Sequence, residues 1–106
     1  METAPWLIAV FAERYSTDEK GPRQKHYYVS DWVGIATGFL INACHQLGIA
    51  KLTHTPNPMK FLNQILERPS NERPYVLLVV GHPAQTAVVP CAATIKKSLE
   101  QISTFI

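Results

Sequence analysis

Two short stretches hold the residues with the clearest capacity for chemistry. Thr53-His54-Thr55-Pro56-Asn57 sets two hydroxyls, an imidazole and free backbone amides where an apolar strand runs into the N-terminus of a helix. A turn built this way can donate hydrogen bonds to an anion or to the polar edge of a ring. The competing reading is purely local, with Thr53 and Thr55 satisfying the turn and Asn57 capping the helix. Lys96-Lys97 lies close to the start of the last helical segment, where cations oppose the helix dipole and a bound phosphate would relieve the conflict. A lysine pair on a solvated helix face is the alternative there. Beyond these two places the chain holds no glycine-rich phosphate loop, no nucleophile elbow, no His-Glu-x-x-His and no carboxylate pair. His26, His45, His54 and His82 are too scattered to form a metal site by spacing, so no metal is expected. Cys44 and Cys91 lack a Cys-x-x-Cys spacing and are expected to remain free thiols in a reducing cytoplasm.

The elements that position these residues are legible in outline. Residues 6–12 read Trp-Leu-Ile-Ala-Val-Phe-Ala, a strand expected to be buried on both faces. Residues 13–25 are charged and polar and read as an exposed loop. From Ser30 to Leu47 the spacing predicts one helix of about five turns, with Ser30 able to cap, Asp31 favourable against the dipole and Gly48 placed as the terminating glycine. Its apolar residues occupy most of the circumference, which predicts burial on more than one side. Gly34 and Gly38 would let a neighbouring backbone approach one face. Residues 49–53 alternate as a strand and lead into the His54–Pro58 turn. Asn57-Pro58 then reads as an N-cap and first helical residue, followed by an apolar stripe to Leu66. Tyr75–Val80 is the strongest strand signal and is expected to be central. Ile95, Leu99, Ile102 and Ile106 fall on one face of a final amphipathic helix.

With 106 residues, 46% hydrophobic and 17% charged at a net +2, the composition excludes a disordered chain and argues against nucleic-acid binding. The polar residues Ser30, Asp31, Thr37 and Asn42 interrupt the long helix before it reaches the length of a membrane span. Met1-Glu2-Thr3-Ala4-Pro5 sets an acid and a proline where a signal peptide needs a basic run and then an apolar core, so no secretion signal is expected. A chain of this length lies at the lower end for a cofactor-binding enzyme domain.

Taken in order, Asp31-Trp-Val-Gly-Ile-Ala-Thr-Gly-Phe-Leu-Ile-Asn-Ala-Cys-His-Gln-Leu-Gly48, Leu52-Thr-His-Thr-Pro56, Pro74-Tyr-Val-Leu-Leu-Val-Val-Gly-His-Pro83 and Val89-Pro90 resemble the C-terminal half of the FMN-dependent nitroreductase family, nearest its iodotyrosine-deiodinase-like branch. The resemblance runs through nearly the whole chain. It implies an α+β fold, a short and mainly antiparallel sheet with a long central buried helix and flanking helices, so that residues 1–106 form a single partial domain. It also implies an intertwined homodimer with FMN at the interface. Carried across, Thr55 is the candidate beside flavin N5, Thr53, His54 and Pro56 line the same edge, and Lys96, or Lys97 as second choice, meets the flavin phosphate. The family's N-terminal arginine-serine-arginine-type motif has no counterpart here, since Arg14, Arg23, Arg68 and Arg73 stand in other contexts.

The activity implied by the resemblance is ping-pong hydride transfer from NAD(P)H through the flavin to a nitroaromatic, quinone or related acceptor. The cofactor carries such chemistry, so a sequence without an acid-base constellation is compatible with it. The alternative is a non-catalytic dimerising fragment of the same fold, without flavin or with another small ligand in the cleft.

Overall fold

The structure, a computed structural model, describes residues 3–106. Its organising element is β5, Glu72–Gly81, which occupies the middle of a three-stranded antiparallel sheet of order β1-β5-β4. The flanking strands are β1, Trp6–Glu13, and β4, Ala50–His54. The apolar residues of β5 suit a central strand, and Val76, Leu77, Leu78 and Val80 are buried, Leu78 at 0% exposure. The expectation that β1 is buried on both faces does not hold. It is an edge strand with one paired neighbour, and Trp6 and Leu7 are exposed.

The β1–β5 register has one irregularity. Val10 pairs with Val76 and Phe11 with Pro74, so Tyr75 is an extra residue on β5, a β-bulge. Beyond β1 the ladder continues, with the Arg14 N–H donating to the Asn71 carbonyl at 2.9 Å. The segment 13–25 is not wholly a loop. Tyr15–Ser16 (β2) and Gln24–Lys25 (β3) pair as a short antiparallel ladder. The His26 N–H donates to the Arg14 carbonyl at 2.9 Å, and the Arg23 guanidinium lies 4.0 Å from the Tyr15 ring centroid.

The 18-residue helix α1, Val29–Gln46, packs across the sheet. Its N-cap is Tyr28 rather than Ser30, held at φ 56° with no side-chain cap, and Asp31 falls in the first turn as expected. At the other end Gly48 takes φ +70°, its N–H donates to His45 at 3.0 Å and the Ile49 N–H donates to Cys44 at 2.9 Å. That pair of bonds is a Schellman motif, and it needs a residue free to adopt positive φ. Cys44 joins Val76, Leu78 and Val80 in the core, with Leu40, Ile41, Ile8 and Val10 packed around them. Thr37, the one buried polar side chain among the described residues, donates to the Val33 carbonyl at 2.7 Å. The other side of α1 is open: Trp32 is 66% and Phe39 72% exposed. Of the two helix glycines, Gly34 faces the Tyr75 hydroxyl, whereas Gly38 has no neighbour within 4 Å of where a Cβ would stand.

The remaining helices are shorter than the apolar spacing predicts. α2 is Phe61–Ile65, with Lys60 and not Asn57 as N-cap, because Met59 and Lys60 first form a tight turn that accepts the Leu62 and Asn63 N–H groups. Asn63 Nδ2 donates to the Glu72 carbonyl at 2.9 Å and ties α2 to the start of β5. The last segment is helical over Leu99–Ile102 only (α3), preceded by a 3-10 turn at Cys91–Thr94. Ile95, Leu99, Ile102 and Ile106 all remain exposed, and an amphipathic stripe without a surface to bury it gives a helix little support. This arm leads away from the sheet. The radius of gyration is accordingly 17.7 Å, against about 13 Å for a compact domain of this length. Cys44 and Cys91 are unpaired, one buried and one exposed. Among the described residues no helix is long and apolar enough to cross a membrane, and no cluster of metal-ligating side chains occurs.

Candidate functional site

β4 ends at His54 and the chain turns through Thr55–Pro58 toward α2. Two open cavities meet at this turn. The larger, about 900 Å³, lies between the turn, α2 and the start of β5, and the smaller, about 670 Å³, lies between the same strand end and the first turn of α1. Thr55 and Met59 line both, together with Arg14, Arg73 and Pro74.

Register explains which of the sequence candidates reach these cavities. Thr53 pairs with Leu78 and His54 with Leu77. Leu78 belongs to the α1-side core, so Thr53 and the following Thr55 lie on the α1 side, and His54 on the reverse side. Thr55 lines both cavities and Pro56 the larger, while Thr53 and His54 line neither. Lys96 and Lys97 are exposed on the arm, just before α3 and outside both cavities. Within one chain the structure therefore joins Thr55 and Pro56 and leaves the lysines apart from them. Asn57 lines the larger cavity and caps no helix.

The sequence reading missed the cations of this site. Ala12 pairs with Arg73 across the β1–β5 ladder. Ile8 and Val10 pack into the α1-side core, and alternation then carries Ala12 and Arg14 to that side, with Arg73 beside them. The bulge at Tyr75 makes this possible. Without the extra residue, Arg73 would fall on the face opposite Val76, Leu78 and Val80. Arg14 is fixed by its two backbone bonds and by Nη2 donation to the Ser70 carbonyl at 3.1 Å. Nothing in the local sequence around Arg14 or Arg73 reports this pairing, which depends on a long-range register.

Charges on the reverse side are compensated. Glu13 and Glu72 stand opposite each other, but Arg68 Nε donates to Glu72 Oε2 at 2.7 Å and its Nη2 to Oε1. Those bonds hold the Glu72 carboxyl below the usual carboxylate range and raise the Arg68 guanidinium. His26 Nε2 lies 3.9 Å from Glu13. Among the described residues no carboxylate pairs with Arg14 or Arg73.

Comparison with known proteins sets this geometry in context. No protein-family model matches the chain. It is 54% identical over 90 residues to the iodotyrosine deiodinase of Haliscomenobacter hydrossis, covering 85% of this chain and 40% of that protein. To the iodotyrosine deiodinase of Nematostella vectensis it is 40% identical over 103 residues, covering 96% and 38%. It superposes on a crystal structure of oxidized iodotyrosine deiodinase bound to FMN and 3-iodo-L-tyrosine with a TM-score of 0.68 at 26% identity, over 96% of this chain and 48% of that one. An FMN-containing oxidoreductase shares the fold at a TM-score of 0.68 and 17% identity, over 79% and 42%. The antiparallel sheet crossed by one long helix is thus a portion of the nitroreductase α+β fold. The homologues of this chain are thus iodotyrosine deiodinases, which belong to the nitroreductase superfamily, and the chain spans about 40% of the length of the curated relatives it matches.

Proposed function

We propose that this chain is the part of an FMN-dependent oxidoreductase that presents the Thr55 turn to the flavin ring, working as a homodimer with the remainder of the fold. The observation that carries the reading is the place of Thr55, at the wall shared by two cavities, in a chain that superposes along 96% of its length on a relative bound to FMN. The donor set suits a flavin edge: a hydroxyl at the end of β4, with Pro56 beside it to line the ring and to hold the turn extended. Thr55 would donate a hydrogen bond from its hydroxyl to N5, while Thr53 and His54 frame the strand end behind it. FMN, when bound, supplies hydride transfer from NAD(P)H in one half-reaction and reduction of an acceptor in the other.

Lys96, with Lys97 second, would hold the flavin phosphate. Both lie outside the cavities of their own chain, which favours a site completed by the arm of a second copy. The exposed side of α1 and the apolar side chains of the arm supply surface for that pairing. For the acceptor, the names of the relatives favour a halogenated tyrosine over a nitroaromatic or a quinone. The two unpaired thiols are in keeping with a reducing cytoplasm.

The test is optical. The purified protein should be yellow, with the visible band of bound flavin, and Lys96→Ala should bleach it. A colourless protein that ignores added FMN overturns the reading. Gel filtration of the same sample should give a dimer, and a stable monomer counts against the role of α1. Reoxidation of the reduced yellow protein by 3-iodotyrosine, faster than by a nitroaromatic, would fix the acceptor class.

A further inference from the structure

Arg14 and Arg73 stand out as a charge pair that the fold brings together and does not neutralise. Register puts them diagonally adjacent on the α1 side of the β1–β5 ladder, a relation that leaves side chains of this length able to converge on one point. Like charges so placed repel, and their neighbours show how this protein ordinarily handles the problem. On the reverse side the facing Glu13 and Glu72 each have a basic side chain beside them, the His26 imidazole at 3.9 Å from Glu13 and the Arg68 guanidinium bonded to Glu72. Arg14 and Arg73 have no carboxylate among the described residues, although they line both cavities.

We propose that Arg14 and Arg73 form an oxyanion-binding site between β1, β5 and the first turn of α1, taking the carboxylate or phosphate group of a small molecule whose body lies against Thr55, Met59 and Pro74. Three features support this beyond charge. The Arg14 backbone is bonded on both sides and its side chain is anchored on Ser70, so the guanidinium is partly ordered before any ligand arrives. The Tyr75 bulge is the local irregularity that turns Arg73 toward the cavities, and bulges commonly re-aim a side chain next to a binding site. Planar guanidinium forks match carboxylate and phosphate oxygens better than any other side chain does. The other charged or titratable groups are Lys25, His26 and Asp31 at the smaller cavity, and Lys60, Arg68 and Glu72 at the larger, where Arg68 already bonds Glu72. Asp31 stands on the α1 wall, so the cationic side is the β-sheet wall and the ligand's anionic end is directed there. The anion contacts use neither Lys96 nor Lys97, and the Thr55 wall is the surface this site shares with the proposed flavin site.

The test is titration of the isotopically labelled 106-residue chain, followed by backbone amide shifts at Thr55, Arg73 and Tyr75 at constant ionic strength. The probes are inorganic phosphate, N-acetyl-L-tyrosine, which carries a carboxylate, and N-acetyl-L-tyrosinamide, which carries none. Saturable shifts with N-acetyl-L-tyrosine and not with the amide identify a carboxylate site; saturation with phosphate identifies a phosphate site. Either should weaken at least about tenfold in Arg14→Gln/Arg73→Gln, because the charge-assisted fork is lost, and stay unchanged in Lys96→Ala. Arg14→Lys/Arg73→Lys, which keeps the charge, should retain part of the binding. Shifts that do not saturate with any anion, or that are the same in the glutamine double variant, overturn the proposal. A protein that loses its flavin colour in Lys96→Ala but keeps these shifts separates this site from the flavin reading.

Discussion

Gly34→Ala probes the contact between α1 and the bulge directly. A Cβ at position 34 would stand 3.1 Å from the Tyr75 hydroxyl oxygen, with no other heavy atom within 4 Å apart from its chain neighbours and the adjacent helix backbone. Two effects then compete. Alanine in place of glycine inside a helix gains about 1 kcal/mol, while crowding a packed contact costs about 1–3 kcal/mol. The overlap here is a few tenths of an ångström against the end of a half-buried side chain, so the low end of that cost applies, and Gly34→Ala should be nearly neutral. Tyr75→Phe removes the crowding atom. The Tyr75 hydroxyl makes no hydrogen bond among the described residues, so that change alone should stay within about 0.5 kcal/mol. Added to Tyr75→Phe, the alanine should therefore stabilise by about 1 kcal/mol, which gives a coupling of about 1 kcal/mol between the two positions. Urea unfolding of the parent, the two single variants and the double variant measures it. If Gly34→Ala shifts stability equally with and without Tyr75→Phe, the hydroxyl is not what limits the approach of α1 to β5, and the bulge does not set that contact.

Three further outcomes follow from single features. Gly48→Ala should cost about 1–2 kcal/mol, because φ +70° is left-handed backbone that alanine resists, and Gly48→Asn should recover part of it in the same urea assay. Leu78→Ala, at the fully buried centre of β5, should cost about 2–5 kcal/mol and lower the thermal midpoint more than any edge-strand truncation, such as Leu52→Ala. Glu72 titrates below the ordinary carboxylate range because Arg68 bonds it. The stability it contributes is complete above the unfolded-chain carboxylate pKa and is lost as the pH falls through its lower folded value. Arg68→Gln should return the Glu72 carboxyl carbon to an ordinary titration by NMR, and an unchanged midpoint would show that the ion pair is not formed in solution.

What the sequence disclosed and what it concealed divide along a physical line. β5, α1 and the Gly48 stop were legible because each depends on local signals, an apolar β-branched run in one case and a helical spacing closed by glycine in the other. The Thr55–Pro56 turn was legible as a polar strand end for the same reason, and it lines the larger cavity. α2 and α3 were over-read, since their apolar stripes continue for longer than any surface in this chain can bury. The short β2–β3 ladder was hidden in a polar segment whose pairing shows no alternation. Arg14 and Arg73 were invisible as a pair. Their meeting depends on the β1–β5 register and on one extra residue at Tyr75, and a shift of one place would have sent one of them to the other side of the sheet.

The exposed apolar residues are not scattered, and their order says what kind of object the chain is. Trp32, Ile35 and Phe39 recur at helical spacing along one side of α1, while Leu40, Ile41 and Cys44 carry the side that packs on the sheet. One helix thus carries two apolar sides, and the described residues supply a partner for only one of them. Ile95, Leu99 and Ile102 repeat the pattern on the arm, again exposed and without a partner among the described residues. Random surface apolarity would not keep that period in two separate segments. Single strand pairing leaves β1 and β4 each with an open edge as well, the condition that proteins ordinarily cover or blunt. A sequence that spends its periodic residues on surfaces it cannot bury alone encodes an interface as well as a core. Those two open apolar sides are the surface that the proposed homodimer would cover.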